Sequence, residues 1–138
     1  KNDWVLQKCT ELGISHFVPL LTERTEKTGF DVSRAKKIVI EAVEQCGRSD
    51  VPTIRGPINL RTALEEFDTK VPLLVCEQNE AESNVELDHA GILIGPEGGW
   101  SEAEKKLFDD YKLAQLNLHD FTLRAETASV AASAKLLQ

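Results

Sequence analysis

Apolar positions recur with helical spacing twice early in the chain. Trp4, Val5, Cys9 and Leu12 predict a first helix, capped by Asn2 or Asp3 and stopped at Gly13. Val32, Ala35, Val39, Ala42, Val43 and Cys46 predict a second, opened by Asp31 or Ser33 and closed by Gly47. Between them, His16 to Leu21 is short, apolar and β-prone, which predicts a strand, and 22–30 reads as a polar loop. Val51-Pro52 marks the exit from the second helix, and Asn59 is placed to cap a short helix from Leu60 to Phe67. The runs Val71 to Cys76 and Gly91 to Ile94 are continuously apolar, the pattern of strands buried on both faces, with an acidic surface connection over 77–88. Ser101 and Glu104 form a capping box for a helix through Tyr111. Ala114 to Leu118 reads as a strand, and Glu126 to Leu137 as a last helix rich in Ala and Ser. Strands alternating with helices predict an α/β fold with a mainly parallel sheet, in which ligands bind at the carboxyl ends of strands.

Composition narrows the class. The 138 residues, 41% hydrophobic and 28% charged, suit one globular domain over 1–138, since a chain of this length buries roughly 68% of its unfolded surface. No apolar run approaches the roughly 18 residues of a membrane span, and the opening Lys1-Asn2-Asp3-Trp4 lacks a signal-peptide pattern, so a cytoplasmic location is expected. An opening directly on a helix also suits a piece of a longer protein. Cys9, Cys46 and Cys76 are odd in number and widely spaced, which suits buried thiols better than disulfides or a CxxC metal site.

The net charge of −7 argues against simple binding to a nucleic-acid backbone. Its distribution is uneven, however. From Thr22 to Arg55 bases outnumber acids seven to six, whereas 77–88 holds five acids and no base, so one surface can meet a polyanion while another repels it.

Three constellations carry candidate chemistry. Gly95-Pro96-Glu97-Gly98-Gly99-Trp100 joins a buried strand to a capped helix, and its glycines let backbone approach a ligand at a helix N-terminus. It is neither a P-loop nor a GxGxxG fingerprint, and a structural turn is the competing reading. In Leu116 to Ala128 a strand passes through a polar loop into a helix of small residues. Arg124 and Glu126 flank the helix start, Thr127 is a possible cap, and Ala128, Ser129, Ala132 and Ser133 permit close approach of another backbone. A plain buried helix would look similar. Finally, Lys8 lies on or beside the first helix's apolar stripe with Glu11 at i,i+3. Gln45 and Arg48 close the second helix, and Glu23-Arg24-Thr25 follows the first strand. Taken singly, each is more often a solvated residue. His16, His89 and His119 are scattered without metal-ligand neighbours, and no GxSxG is present, so zinc and serine-hydrolase chemistry find no support.

Taken together, these stretches resemble one family, the bacterial 16S ribosomal RNA uridine-N3 methyltransferases of the SPOUT superfamily. Lys1 to Ile14 is similar to its K-x-x-x-x-x-x-K-x-x-E-L-G-[IV] opening, Glu23-Arg24-Thr25 to E-R-[ST], and Glu41 to Pro52 to E-A-x-E-Q-x-x-R-x-x-x-P. Ile94 to Glu104 is similar to I-G-P-E-G-G-[WF]-[ST]-x-x-E, and Leu123 to Ala128 to L-R-x-E-T-A. The resemblance implies an α/β sheet whose carboxyl-terminal part is tied into a deep trefoil knot. It also implies S-adenosylmethionine as cofactor, a homodimer with its site at the subunit interface, and methylation of N3 of a uridine in 16S ribosomal RNA of the small ribosomal subunit.

By the same resemblance, the cofactor walls are the strand end Leu74, Cys76 and Glu77, the loop Ile94, Gly95, Pro96, Glu97, Gly98 and Gly99, and the segment holding Leu116, Leu118, Leu123, Arg124, Glu126, Thr127 and Ala128. Arg24 is expected near the reacting base, with Glu11 orienting Lys8 or Arg24, and with Lys8, Gln45 and Arg48 positioning RNA. The sequence departs from the family at two places. His119-Asp120 follows Leu118 where relatives carry a Leu-Gly pair, and the family's amino-terminal PUA-like barrel is missing. A SPOUT enzyme acting on another ribosomal or transfer RNA nucleotide, or a degenerate module that only binds cofactor or dimerises, are the alternatives.

Overall fold

A computed structural model describes residues 2–24, 29–76, 89–96, 98–116 and 123–136. The first helix, α1 (Asn2–Glu11), buries Leu6, Cys9 and Thr10. Thr10 can join this apolar stripe because its hydroxyl donates to the Leu6 carbonyl at 2.6 Å. Trp4, expected on the buried face, is instead 44% exposed. Asn2 and Asp3 both lie within α1, and the Asp3 carboxylate accepts from Arg34 of α2 (Val32–Cys46) rather than capping its own helix. Helix α2 follows its sequence signals: the Asp31 side chain accepts from the Arg34 amide, and Gly47, at φ +80°, closes the helix with its N–H on the Val43 carbonyl. Its buried face is Ala35, Val39, Ala42 and Val43, of which Ala35, Val39 and Val43 meet Leu6 of α1 in one cluster, while Cys46 is exposed.

The strand predicted over His16 to Leu21 is broken in two. The segment β1 (His16–Phe17) pairs in parallel with β3 (Thr53–Ile54), and β2 (Leu20–Leu21) pairs in parallel with β4 (Ile58–Asn59). His16 faces Thr53 and Leu20 faces Ile58, so three residues, 55–57, stand opposite two, 18–19, and the extra residue bends the ladder. Pro19 donates nothing, but its carbonyl accepts from the Ile58 amide at 3.1 Å. The sequence signals show neither β3 nor β4, because two-residue strands beside Pro52, Gly56 and Pro57 have no periodicity to read.

Asn59 caps α3 (Leu60–Phe67) as expected, accepting from the Thr62 amide at 2.8 Å. Three parallel strands follow in the spatial order β6 (Gly91–Leu93), β5 (Leu73–Cys76), β7 (Ala114–Leu116). Val71, Pro72 and Ile94, predicted within these strands, fall outside them, although the Pro72 carbonyl still accepts from the Gly91 amide at 2.8 Å. Alternation along the strands sorts the core. Val75 and Leu93 face Leu60 and Leu64 of α3 and Trp100 and Phe108 beside and within α4 (Glu102–Asp110). Leu74 and Leu116 face Ala132 of α5 (Ala125–Leu136). The three-stranded sheet is therefore covered on both faces, as parallel sheets require.

Helix α5 packs on both the sheet and α1. Ala132 is fully buried against the sheet, and the Ser133 hydroxyl, which donates to the Ser129 carbonyl at 2.7 Å, lies 3.6 Å from the Cys9 thiol. The close backbone approach expected of the small residues is thus met within the chain. Thr127 lies inside the first turn of α5, not at its cap. Among the described residues no helix is long and apolar enough to cross a membrane.

Arg48 locks the carboxyl end of α1. Its Nη1 donates to the carbonyls of Thr10 and Ile14 at 2.8 and 2.9 Å, and Nε and Nη2 pair with Asp50. One guanidinium thus ties the last turn of α1, whose Thr10 carbonyl also accepts from the Gly13 amide at 3.2 Å, to the Ile14 carbonyl just beyond the helix.

Two outcomes follow. Arg48→Ala should lower unfolding stability by about 2 kcal/mol, the usual worth of hydrogen bonds from a charged donor, and Arg48→Lys should recover only part, since one ammonium cannot reproduce the fork. An unchanged urea midpoint would remove Arg48 from this role. Burial pushes the Cys76 thiol up to about 12 and raises Cys9 as well, a rise that Ser133 partly offsets. At pH 8 an aromatic disulfide reagent should therefore modify Cys46 in the native protein and reach Cys9 and Cys76 only after denaturation; a native Cys76 that reacts as fast as Cys46 would contradict the packing.

Candidate functional site

Strand β5 lies between the strand that follows it and the last strand, so the chain leaves it to one side for β6 and returns on the other for β7. Such a reversal leaves a crevice outside the carboxyl ends of the strands. Cys76 is opposite Leu116 and Val75 is opposite Leu93, so the three strands end at about the same level. The segments predicted as walls leave from these ends. Leu74 and Leu116 themselves are core side chains, each 1% exposed, and form the base beneath the strand ends. Cys76, Ile92 and Ile94 pack beside them.

The loop after β6 is anchored from below. Trp100 is buried with its ring edge-on to Phe108 at 4.9 Å, and the Gly99 amide donates to the Pro96 carbonyl at 2.8 Å. Gly95 must be glycine for a local reason: a Cβ there would stand 2.9 Å from the Trp100 Nε1. Gly99 has φ +77°, and a Cβ on Gly98 would stand 3.3 Å from Cβ of Arg24. Close packing inside the protein thus accounts for part of the glycine content. The buried Trp100 Nε1 has no hydrogen-bond partner among the described residues, so the base of the loop holds an orphaned donor.

The Gly98 contact brings two predicted elements together. Arg24, 74 positions earlier, donates from Nη1 to the Gly98 carbonyl at 2.8 Å. Its backbone neighbour is also held: the Glu23 amide donates to Oε2 of Glu104 at 3.2 Å. The other carboxylate oxygen, Oε1, accepts from the Ser101 amide at 2.7 Å, and the Ser101 hydroxyl accepts from the Glu104 amide at 3.2 Å. Glu104 is 5% exposed and carries no charged partner in this set; backbone amides at the start of α4 and the helix dipole stabilise it. The sequence signals read Glu104 only as a capping residue. Its second bond reaches across 81 positions, and no local pattern could have shown it.

The remaining predicted residues form a second group. Lys8 and Glu11 pair at 3.4 Å on α1, while the Arg24 guanidinium is on Gly98. Gln45 is exposed at the end of α2, and Arg48 holds the Thr10 and Ile14 carbonyls described above. On α5, Arg124 is exposed just before the helix, its carbonyl accepting from the Ala128 amide at 2.8 Å, and Glu126 lies in the first turn. Leu123 and Ala128 are half-buried and Thr127 is exposed. Glu77, Glu97, Leu118 and the His119-Asp120 segment lie outside the described residues. Among the described residues no cluster of three or more His, Cys, Asp or Glu could hold a metal ion.

This geometry has close counterparts. The chain is 31% identical over 134 residues to the ribosomal RNA small subunit methyltransferase E of Aquifex aeolicus, covering 93% of this chain and 58% of that protein. It superposes with a TM-score of 0.84 on a crystal structure of the ribosomal RNA small subunit methyltransferase E of Neisseria gonorrhoeae bound to S-adenosyl methionine, at 33% identity, covering 96% of this chain and 58% of that one. A TM-score of 0.81 relates it to a methyltransferase of Legionella pneumophila in complex with the same cofactor, at 30% identity, covering 95% of this chain and 58% of that one. The chain therefore spans less than two thirds of each of these relatives. The model of the RNA methyltransferase domain matches residues 1–137. With that match over almost every residue, and with its glycine loop set at the ends of parallel strands, the chain belongs to the RNA methyltransferase domain family.

Proposed function

We propose that this chain is the catalytic domain of an S-adenosylmethionine-dependent methyltransferase that modifies N3 of a uridine in 16S ribosomal RNA of the small ribosomal subunit. The observation that carries the proposal is the Arg24–Gly98 contact, which sets a cation directly on the glycine loop at the strand ends. The cofactor found in the Neisseria gonorrhoeae and Legionella pneumophila structures supports the choice of methyl donor. The fit is also chemical. Gly95, Gly98 and Gly99 present main chain rather than side chains, and the half-buried Ile94 supplies an apolar wall above the Leu74 and Leu116 core.

Bound S-adenosylmethionine supplies an electrophilic methyl group. This chain's residues supply placement and charge. Uridine N3 carries an imide proton, and its release to solvent leaves negative charge spread over N3, O2 and O4. A guanidinium fixed by one N–H on the Gly98 carbonyl can direct another N–H at that charge, which makes Arg24 the residue that stabilises the developing anion. Lys8, oriented by Glu11, and Gln45 would contact the RNA backbone, and Arg48 would act on them through its hold on the end of α1. A homodimer, with the second group of residues facing the partner's glycine loop, would complete the site. A trefoil knot in the carboxyl-terminal part of the sheet, cofactor walls that include Glu77, Glu97 and Leu118, and a cytoplasmic location belong to the same reading.

Arg24→Ala should retain cofactor affinity and slow single-turnover methyl transfer to small ribosomal subunits by about 100-fold or more, as loss of a transition-state donor does. Mass mapping of the product should place the methyl group on a uridine base of 16S RNA. A near-normal rate would remove Arg24 from the chemistry. A methyl group on another nucleotide would refute the uridine assignment.

A further inference from the structure

The buried carboxylate of Glu104 makes two bonds of different kinds. One is local, to the Ser101 amide, and belongs to the cap of α4. The other, to the Glu23 amide, lies outside the helix and secures the backbone immediately before Arg24. Arg24 is then held at both of its ends, the main chain beside it by Glu104 and the guanidinium by Gly98. Gly98 and Ser101 are themselves only three positions apart, so a single short segment sets both the cofactor loop and the arginine. A lone exposed arginine on a loop would sample many rotamers, and ordering it costs conformational entropy at every turnover. Here the carboxylate has fixed the segment beforehand.

We propose that Glu104 is a positioning residue, which sets Arg24 against the glycine loop for methyl transfer. The proposal rests on the role of Arg24 proposed above. A carboxylate is required because two N–H donors converge on the group and it donates nothing in return. In Glu104→Gln one oxygen becomes an NH2, which cannot accept from a facing amide. The remaining oxygen keeps the shorter bond, to Ser101 at 2.7 Å, and the Glu23 amide loses its acceptor. Ser101→Ala is the matched control. It removes the hydroxyl half of the cap but leaves the Ser101 amide, Glu104 and the Glu23 bond in place.

The test is a double-mutant cycle on small ribosomal subunits, read as single-turnover rate and as affinity for S-adenosylhomocysteine, with amide exchange at Glu23 followed by NMR. Glu104→Gln should slow methyl transfer about tenfold or more, within the range for a small misplacement of a reacting group. Cofactor affinity should be little changed, and Glu23 exchange should quicken. Ser101→Ala should change neither the rate nor the exchange. In an Arg24→Ala background, Glu104→Gln should add no further loss. Additive losses in that background, equal losses in Ser101→Ala and Glu104→Gln, or an unchanged Glu23 exchange would each overturn the proposal. If Arg24→Ala itself turns over normally, the reading of Arg24 fails first, and that outcome is distinct from additivity.

Discussion

The Glu104 carboxylate meets amides from two distant parts of the chain inside the protein. A buried backbone donor that lacks an acceptor costs about 1–3 kcal/mol; this group satisfies the one at Ser101 and also reaches the amide of Glu23, an exposed residue. Glu104 sits in the first turn of α4, where unpaired backbone amides converge on an acceptor. The start of α4, the glycine loop before it and the Glu23–Arg24 segment are consequently set relative to one another. The loop inherits its shape from this anchor and from Trp100, whose ring fills the space beneath Gly95.

The rest of the architecture serves to place that anchor at the ends of three parallel strands. Alternating side chains of β5 bind α5 on one face and the α3–α4 side on the other, so the strand ends are rigid where a ligand would meet them. Small residues on α5 let it contact sheet and α1 together, which ties the helical half of the chain, α1 and α2, to the half that carries the loop. The Arg48 guanidinium finishes α1 at the end where Glu11 pairs with Lys8. Two groups of polar residues result, one centred on Arg24 and Gly98, the other on the ends of α1 and α2. The proposed methyl transfer would draw on both, the first for a cation at the reacting base and the second for contacts that hold the strand.

Local chemistry was the most legible part of the sequence. Asp31, Asn59 and the Ser101–Glu104 box cap the helices they were expected to cap, because a cap is decided within four residues. The glycine loop was legible for a similar reason, since residue type limits backbone geometry directly. Trp4 was misread because Leu6 and Thr10 define a stripe about half a turn away, and a threonine that bonds its own helix does not look apolar in sequence. The pairs β1–β3 and β2–β4 were illegible, being too short for periodicity and fixed by partners 37 or more positions distant. Arg24 on Gly98, Glu23 on Glu104 and Arg48 on α1 are likewise tertiary facts. Family motifs singled out Arg24 and Arg48, but only the fold shows that one faces the glycine loop while the other is engaged in holding a helix end.

The central claim is that the glycine loop at the strand ends holds S-adenosylmethionine. Isothermal titration of the purified protein with S-adenosylmethionine and S-adenosylhomocysteine, beside a Gly98→Arg variant, tests it most directly. A long side chain at Gly98 has to displace Arg24, whose Cβ would stand 3.3 Å from the new Cβ. Saturable binding by the wild-type protein, lost in a variant that keeps its circular dichroism spectrum, is the predicted result. A folded wild-type protein that binds neither ligand, or a Gly98→Arg variant that binds both with unchanged affinity, would contradict the account.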